Sequence, residues 1–381
     1  MNLRTLGQTG LMVSEIGLGT EFLLGLSEDD ATGVIRSALD RGINYIDMFW
    51  AQPEFRDHMG IALRGRRDEA VITAHLGSTL CDGQYSVSRD PKLCAEFFED
   101  YLRRMGTDHV DVLFLHNCNT PDDYETVMAP GGPVDLARSF VKAGKARFIG
   151  LSGHNVVTAK QAVESGAIDV LMFPINLASY AVPGKSEVLR ACAENNVGLV
   201  AMKVFGGGNL LRDKATIEMQ DYQMGRQQTP GAPSHYAKPK QITPIQCIAY
   251  ALDLPELSTI VPGCKSIPEL DQALAYCEAD AETRDYAHIL PAFAEFATGE
   301  CVYCNHCLPC PSHIDIGGTI SLLEQARREM TDELRTAYTA METNASDCTQ
   351  CAQCSKRCPF GVDVITKMAA AVSFFHNALE S

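Results

Sequence analysis

The sequence predicts an α/β protein: a (β/α)8 TIM barrel over residues 1–290, followed by a small α-helical domain over residues 291–381. Three observations carry this. Eight strand-length apolar runs alternate with amphipathic helical stretches, a pattern that closes into a parallel barrel. No Gly-x-Gly-x-x-Gly opens a helix after the first run, which disfavours the open doubly wound alternative. Eight of the fifteen cysteines fall in two tight runs beyond residue 300.

Taken in order, the strands are read at Ser14 to Gly19, Asn44 to Asp47, Ala70 to His75, Val110 to His116, Ala146 to Ser152, Asp169 to Pro174, Gly198 to Val204 and Ser258 to Pro262. Helical patterns lie between them, for example at Asp29 to Arg41, Pro91 to Met105 and Ser186 to Asn195. Asn209 to Thr243 holds Pro230, Gly231, Pro233 and Pro239 and has no clear period. Loops of this length inside a compact domain are often lids. Beyond the barrel, Ile320 to Ala340 has helical spacing through Leu322, Leu323, Ala326, Met330, Leu334 and Tyr338.

The first cysteine run is Cys301-x-x-Cys304-x-x-Cys307-x-x-Cys310-Pro311, and the second is Cys348-x-x-Cys351-x-x-Cys354-x-x-x-Cys358-Pro359. Three thiolates at this spacing wrap one corner of a cubane, and in two-cluster ferredoxins the last cysteine of each run serves the other cluster. The expectation is a ferredoxin-like domain with two [4Fe–4S] clusters. One is held by Cys301, Cys304, Cys307 and Cys358, the other by Cys348, Cys351, Cys354 and Cys310. The first run has two residues before its final cysteine, where three is common. Zinc also takes paired Cys-x-x-Cys, but a triple run crowds a four-ligand site. His306 and His313 read as solvated or supporting residues, and the scattered Cys81, Cys94, Cys118, Cys192, Cys247, Cys264 and Cys277 as structural thiols.

Apolar residues are 46% and charged residues 21% of the 381, the balance of a soluble globular chain. No apolar run reaches the ~18 residues of a membrane helix, and Met1-Asn2-Leu3-Arg4-Thr5 lacks a signal-peptide core. A cytoplasmic location is expected. A formal charge of −16 repels phosphate backbones, so neither nucleic acid nor membrane is an expected partner. Expected instead are a small-molecule substrate and an electron carrier such as a ferredoxin.

The barrel region resembles the aldo-keto reductase family. Leu6-Gly7-Gln8-Thr9-Gly10-Leu11-Met12-Val13-Ser14 with Gly17-Leu18-Gly19-Thr20 looks like its opening. Gly42-Ile43-Asn44-Tyr45-Ile46-Asp47, Asp111-Val112-Leu113-Phe114-Leu115-His116, Ile149-Gly150-Leu151-Ser152 and Val261-Pro262-Gly263-Cys264-Lys265-Ser266 follow in the family's order. The cysteine tail resembles an iron–sulfur subgroup of the same family. The resemblance implies nicotinamide-dependent oxidoreduction of a carbonyl or hydroxyl compound, through a tetrad of Asp, Tyr, Lys and His at the strand ends.

That tetrad is degenerate here. Asp47 and His116 match, but the tyrosine position falls on Gln52 and the lysine position on His75. Glutamine cannot act as a general acid, whereas histidine can, with an ordinary pKa near ~6.5. The expectation is that His75 and His116 together handle the proton while Asp47 orients one imidazole. Two histidines and a carboxylate could instead hold a metal, or the pocket could bind without reducing a carbonyl. The resemblance further implies that Thr20, Ser152 and Asn176 border the nicotinamide. It places Lys203, Gly206, Gly207, Gly208, Gly263, Lys265 and Ser266 around phosphates. The position of the family's 2′-phosphate arginine falls on Glu269, which favours NAD(H) over NADP(H). Trp50 and His154 face the same pocket.

Hydride transfer moves two electrons and a cluster takes one, so coupling the two calls for a converter, normally a flavin; a barrel with phosphate sites at strands seven and eight could hold FMN. Three readings follow. The first is a nicotinamide-dependent enzyme whose clusters relay electrons or serve structure. The second is a ferredoxin-linked or flavin-containing reductase. The third is a non-redox lyase, isomerase or binding module on an altered barrel.

Overall fold

The computed structural model describes residues 1–179, 182, 184–211, 216–217, 236–237, 242–290, 301, 307–327, 330–358 and 361–377. Cys304, His306 and most of the expected lid segment lie outside the described residues.

An antiparallel hairpin of β1 (Leu3–Thr5) and β2 (Met12–Ser14) precedes the barrel. The strands then run β3 (Leu18–Gly19), β4 (Tyr45–Asp47), β5 (Val71–Leu76), the hairpin strands β6 (Ser78–Cys81) and β7 (Gln84–Val87), β8 (Val110–Leu115), β9 (Ala146–Ser152), β10 (Val170–Pro174) and β11 (Gly198–Met202). A short antiparallel pair, β12 (Thr216–Ile217) and β13 (Tyr236–Ala237), comes before β14 (Leu257–Val261). The eight-stranded parallel sheet has the order β3-β4-β5-β8-β9-β10-β11-β14. Parallel bridges Ile16↔Ile260 and Gly19↔Gly263 join its two edges into a ring. All eight expected barrel strands are present. The first is shorter than read, because the ladder breaks between Ser14 and Leu18.

Helices α1 (Glu28–Asp40), α2 (Pro53–Leu63), α3 (Pro91–Met105), α4 (Pro121–Met128), α5 (Pro133–Lys142), α6 (Val156–Glu164), α7 (Lys185–Glu194), α8 (Pro244–Leu252) and α9 (Ile267–Leu274) surround the ring, with α10 (Ala281–Arg284) after them. Their starts are written in the chain. Asp90, Thr120 and Thr243 each cap a helix with a side-chain oxygen, and proline follows at the first helical position. Inside the ring, Val13, Tyr45, Val112, Phe114, Val170, Met172 and Val200 form one packed cluster. Gly150 makes room for Phe114, since a Cβ there would lie 2.4 Å from its ring.

In the tail, α11 (Ile316–Ala326), α12 (Asp332–Thr339), α13 (Gln353–Arg357) and α14 (Val364–Asn377) form a helical unit. The helical spacing from Ile320 to Ala340 belongs to two helices: α11 ends at Ala326 and the Thr331 hydroxyl caps α12. Tyr338 stacks on Phe375 with centroids 3.9 Å apart, and Lys367 pairs with buried Glu324 at 3.2 Å. Among the described residues no helix is long and apolar enough to cross a membrane.

Of the scattered cysteines, Cys94, Cys118, Cys192, Cys247 and Cys264 are buried and Cys81 is exposed. Burial pushes Cys94 up to about 11, and Cys118, Cys192 and Cys264 up to about 12. Burial pushes Lys185, which donates to Tyr250 Oη at 2.6 Å, down to about 7. Between that value and its unfolded value of 10.5 the unfolded chain binds a proton that the folded chain does not, so this group makes stability rise with pH. The thiols act oppositely above their unfolded pKa of 9.0. Urea unfolding at pH 7.0 and 8.0 should therefore give a rise in stability that Lys185→Met removes. An equal rise in the variant would show that Lys185 is not its source.

Candidate active site

The carboxyl ends of the barrel strands enclose a pocket of about 580 Å³, the face where barrels of this kind do chemistry. Asp47 closes β4, His75 lies near the end of β5, His116 follows β8 and Ser152 closes β9. Lys203 follows β11 in a left-handed conformation with φ of 58°. All five line the pocket, together with Gly19, Glu21, Phe49, Asn117, His154, Met172, Met202 and Val261.

A hydrogen-bonded chain runs through it. Asp47 Oδ1 lies 3.0 Å from His75 Nε2 and accepts from the Thr73 hydroxyl at 2.7 Å. His75 Nδ1 lies 2.9 Å from His116 Nδ1. His116 Nε2 lies 2.5 Å from Tyr85 Oη. Both nitrogens of both rings are thus engaged in hydrogen bonds, a poor arrangement for the metal alternative, which needs lone pairs aimed at one point. Phe49 stacks on His116 at 5.9 Å. Arg89 donates to the carbonyls of His116 and Asn117, at 2.6 and 2.9 Å, and so fixes the loop that carries the histidine.

Burial raises the pKa of Glu21; Lys203 opposes this and Asp47 adds to it. Burial lowers that of His154 well below the usual imidazole range, helped by Lys203 and His116, so His154 stands in the pocket as a neutral ring. Below Asp47, burial holds the Tyr45 phenol well above 10, with Asp47 and Asp111 contributing.

Other sequence candidates take different places. Gln52 is the N-cap position of α2, with a buried Oε1 that has no hydrogen-bond partner among the described residues, and it is absent from the pocket lining. Thr20 donates its hydroxyl to the Asp47 carbonyl at 2.7 Å, and Asn176 donates to the Lys203 carbonyl at 2.9 Å. Both shape the site from behind. Trp50 donates to the Glu21 carbonyl at 2.9 Å. Glu21, Asn117 and Tyr85 are absent from the sequence-based candidates.

A second cavity of about 900 Å³ shares Glu21, Lys203 and Val261 with the pocket and runs on past Gly207, Gly208, Gly263, Lys265 and Glu269. Gly206 and Ser266 lie just outside its lining. A Cβ on Gly263 would meet the Phe22 ring at 2.5 Å, so only glycine leaves this wall open. Ser266 caps α9 instead, accepting from the Glu269 amide. The Glu269 carboxylate accepts from the Lys265 amide at 2.9 Å.

In the tail, Cys310, Cys348, Cys351 and Cys354 line one cavity of about 380 Å³, so the last cysteine of the first run faces three of the second. Burial raises the Cys354 thiol, with Cys348 and Cys351 adding to it. Cys301, Cys307 and Cys358 are buried. The first run touches the barrel side at both of its ends. Asn209 donates to the Cys301 carbonyl at 3.2 Å, while Gln84 donates to the Cys310 carbonyl at 3.1 Å and accepts from the Cys310 amide at 3.3 Å. His313 lies 3.0 Å from the same Gln84 amide.

Residues 15–290 match the Aldo/keto reductase family, and residues 300–363 match a 4Fe-4S dicluster domain. D-threo-aldose 1-dehydrogenase from a Pseudomonas species is 26% identical over 239 residues, covering 54% of this chain and 70% of its own. L-galactose dehydrogenase from Arabidopsis thaliana is 25% identical over 291 residues, covering 72% and 88%. The holo form of aldo-keto reductase AKR11C1 from Bacillus halodurans shares the fold with a TM-score of 0.62 at 23% identity, covering 78% of this chain and 98% of that one. An aldo-keto reductase from Klebsiella pneumoniae in complex with NADPH does so with a TM-score of 0.56 at 18% identity, covering 77% and 96%.

Proposed function

The chain belongs to the aldo/keto reductase family and carries a 4Fe-4S dicluster domain, and from that premise we propose that it is a nicotinamide-dependent oxidoreductase of a hydroxyl or carbonyl compound. The observation that carries this reading is the hydrogen-bonded series Asp47, His75 and His116 at the mouth of the barrel, opening into the groove that passes Lys203 and Gly263. A nicotinamide bound along that groove supplies or accepts a hydride. His75 and His116 hold the proton exchanged with the substrate oxygen, in place of the tyrosine and lysine absent from positions 52 and 75. Asp47 orients His75 and balances the charge of an imidazolium. Ser152, Asn117 and His154 offer polar contacts to a substrate rich in hydroxyls, which agrees with the sugars in the names of the two dehydrogenases. The Glu269 carboxylate, docked on the Lys265 amide, repels a 2′-phosphate and favours NADH.

Two [4Fe–4S] clusters exchange single electrons when held by the tail. The crossed grouping of Cys310 with Cys348, Cys351 and Cys354 supports the assignment of those four to one cluster and of Cys301, Cys304, Cys307 and Cys358 to the other. The docking of Cys301 beside the glycine loop and of Cys310 on the β6–β7 hairpin supports an electron route between clusters and barrel, and exchange with a carrier such as a ferredoxin.

The test uses cluster-replete protein under anaerobic conditions, titrated with NADH and NADPH and then assayed with aldoses by absorbance at 340 nm. The expected result is tighter binding of NADH, with that preference reversed in Glu269→Arg. Failure of both nicotinamides to bind would sink the reading.

A further inference from the structure

In the reading above the β6–β7 hairpin only seats Cys310, yet it also reaches the centre of the site. Its strands pair Ser78↔Val87, Thr79↔Ser86, Leu80↔Tyr85 and Cys81↔Gln84. The register puts Tyr85 inward, 2% exposed, with Oη 2.5 Å from His116 Nε2. Two rings hold the phenol edge-on, Trp50 at 5.4 Å and Phe49 at 6.1 Å. On the next residue, Gln84 ties the hairpin to both the amide and the carbonyl of Cys310. One short ribbon is therefore anchored at a cysteine of the tail and delivers a phenol to the histidine pair.

The direction of each hydrogen bond follows from what each group can do. An ionised carboxylate only accepts, and Asp47 Oδ1 already takes the Thr73 hydroxyl. His75 must therefore donate from Nε2, which leaves Nδ1 of the neutral ring bare. Ser152 Oγ, 3.4 Å from that nitrogen, accepts from the Asn117 amide at 3.1 Å and has its own hydrogen to turn toward it. His116 can then satisfy His75 only by carrying its proton on Nδ1. That leaves His116 Nε2 as an acceptor, and Tyr85 is the donor facing it.

We propose that Tyr85 is a positioning residue that holds the proton of His116 on Nδ1, the nitrogen that faces His75. It fills part of the gap left by glutamine at position 52, not by touching the substrate but by fixing which nitrogen of the imidazole is charged with a hydrogen. That this proton is the one given to the substrate rests on the reading above; its location on Nδ1 does not.

The experiment uses full-length, cluster-replete protein labelled with ¹⁵N-histidine. Tyr85→Phe keeps the ring and removes the hydroxyl. In the wild type the ¹⁵N shifts of His116 should show a protonated Nδ1 and a bare Nε2. In Tyr85→Phe the proton should distribute onto Nε2. Turnover with the preferred nicotinamide should fall between about 10- and 100-fold at unchanged KM, less than the ~10²- to 10⁴-fold of a group that itself transfers the proton, and the pH profile should shift. Replacement of Tyr85 by 3-fluorotyrosine, which keeps a donor, should restore the wild-type tautomer. A proton on Nε2 in the wild type, or an unchanged tautomer in a folded Tyr85→Phe protein, would overturn the proposal. The tautomer needs no substrate, so a protein that turns over no nicotinamide sinks the preceding reading and leaves this one standing.

Discussion

Asp47→Asn is expected to lower turnover by roughly 10²- to 10⁴-fold while leaving nicotinamide affinity within a few-fold of wild type. The side chain keeps its shape, so Thr73 and the end of β4 keep their packing. What changes is the charge. His75 Nε2 lies 3.0 Å from Asp47 Oδ1, and a proton taken up by the histidine pair beyond the one each neutral ring carries makes a cation in a pocket where both rings are buried. A carboxylate at that distance offsets the burial of the cation; an amide does not. The exchange also lets an N–H face His75, which would force the proton onto Nδ1 and reverse the chain toward Tyr85. In Ser-His-Asp triads the same exchange costs about 10⁴-fold for that reason. Steady-state kinetics across pH 5 to 9 would check this. Loss of less than tenfold, with a normal pH profile, would remove Asp47 and His75 from the proton path and leave His116 alone.

Much of this site could be read from residue order, because barrel strands are short apolar runs that end where chemistry begins. Val110 to His116 was legible as a strand with a histidine at its end, and β8 indeed stops at Leu115, handing His116 to the pocket. Asp47, His75 and Ser152 also stand at or near strand ends, but it is the family resemblance that marks them as site residues. Glu21 was not. A single acid after the first strand carries no period, and its place in the pocket depends on the loop between Thr20 and α1. Tyr85 lies in an insertion after β5, outside the alternation. Its signal was nevertheless present: Asp82-Gly83 between Ser-Thr-Leu-Cys and Gln-Tyr-Ser-Val is the pattern of a tight hairpin turn. Both turn residues have the positive φ that such a turn needs, 50° and 78°. The break between α11 and α12 was also written, in Thr331 as a cap, but the apolar spacing runs on across it and hides the stop.

Stripping the iron with a chelator under anaerobic conditions should make the tail the first part of the chain to be cleaved. Among the described residues its apolar core is small: Ile314, Ile316, Ile320, Leu323, Ala326, Ala345, Val362, Val364, Met368, Ala371 and Phe375, with Tyr338 stacked on the last. A unit little larger than the ~70–80 residues below which a core rarely supplies more than ~3–5 kcal/mol leans on a staple. Here the staple is the set of cysteines, and the free energy of filling such sites is folding free energy. The barrel has its own core inside the ring and far the larger share of the cluster under its helices, which runs on into the tail, and so should survive as a fragment ending near residue 290. Limited proteolysis followed by mass spectrometry would separate the cases. Rapid cleavage between residues 291 and 377, with an intact barrel, is the expected pattern; equal digestion rates with and without iron would mean that the helices hold themselves. The same treatment removes the partner of Gln84, so protection of the β6–β7 hairpin in hydrogen exchange should fall with the tail. A loss confined to the tail would mean that the barrel alone holds Tyr85 against His116.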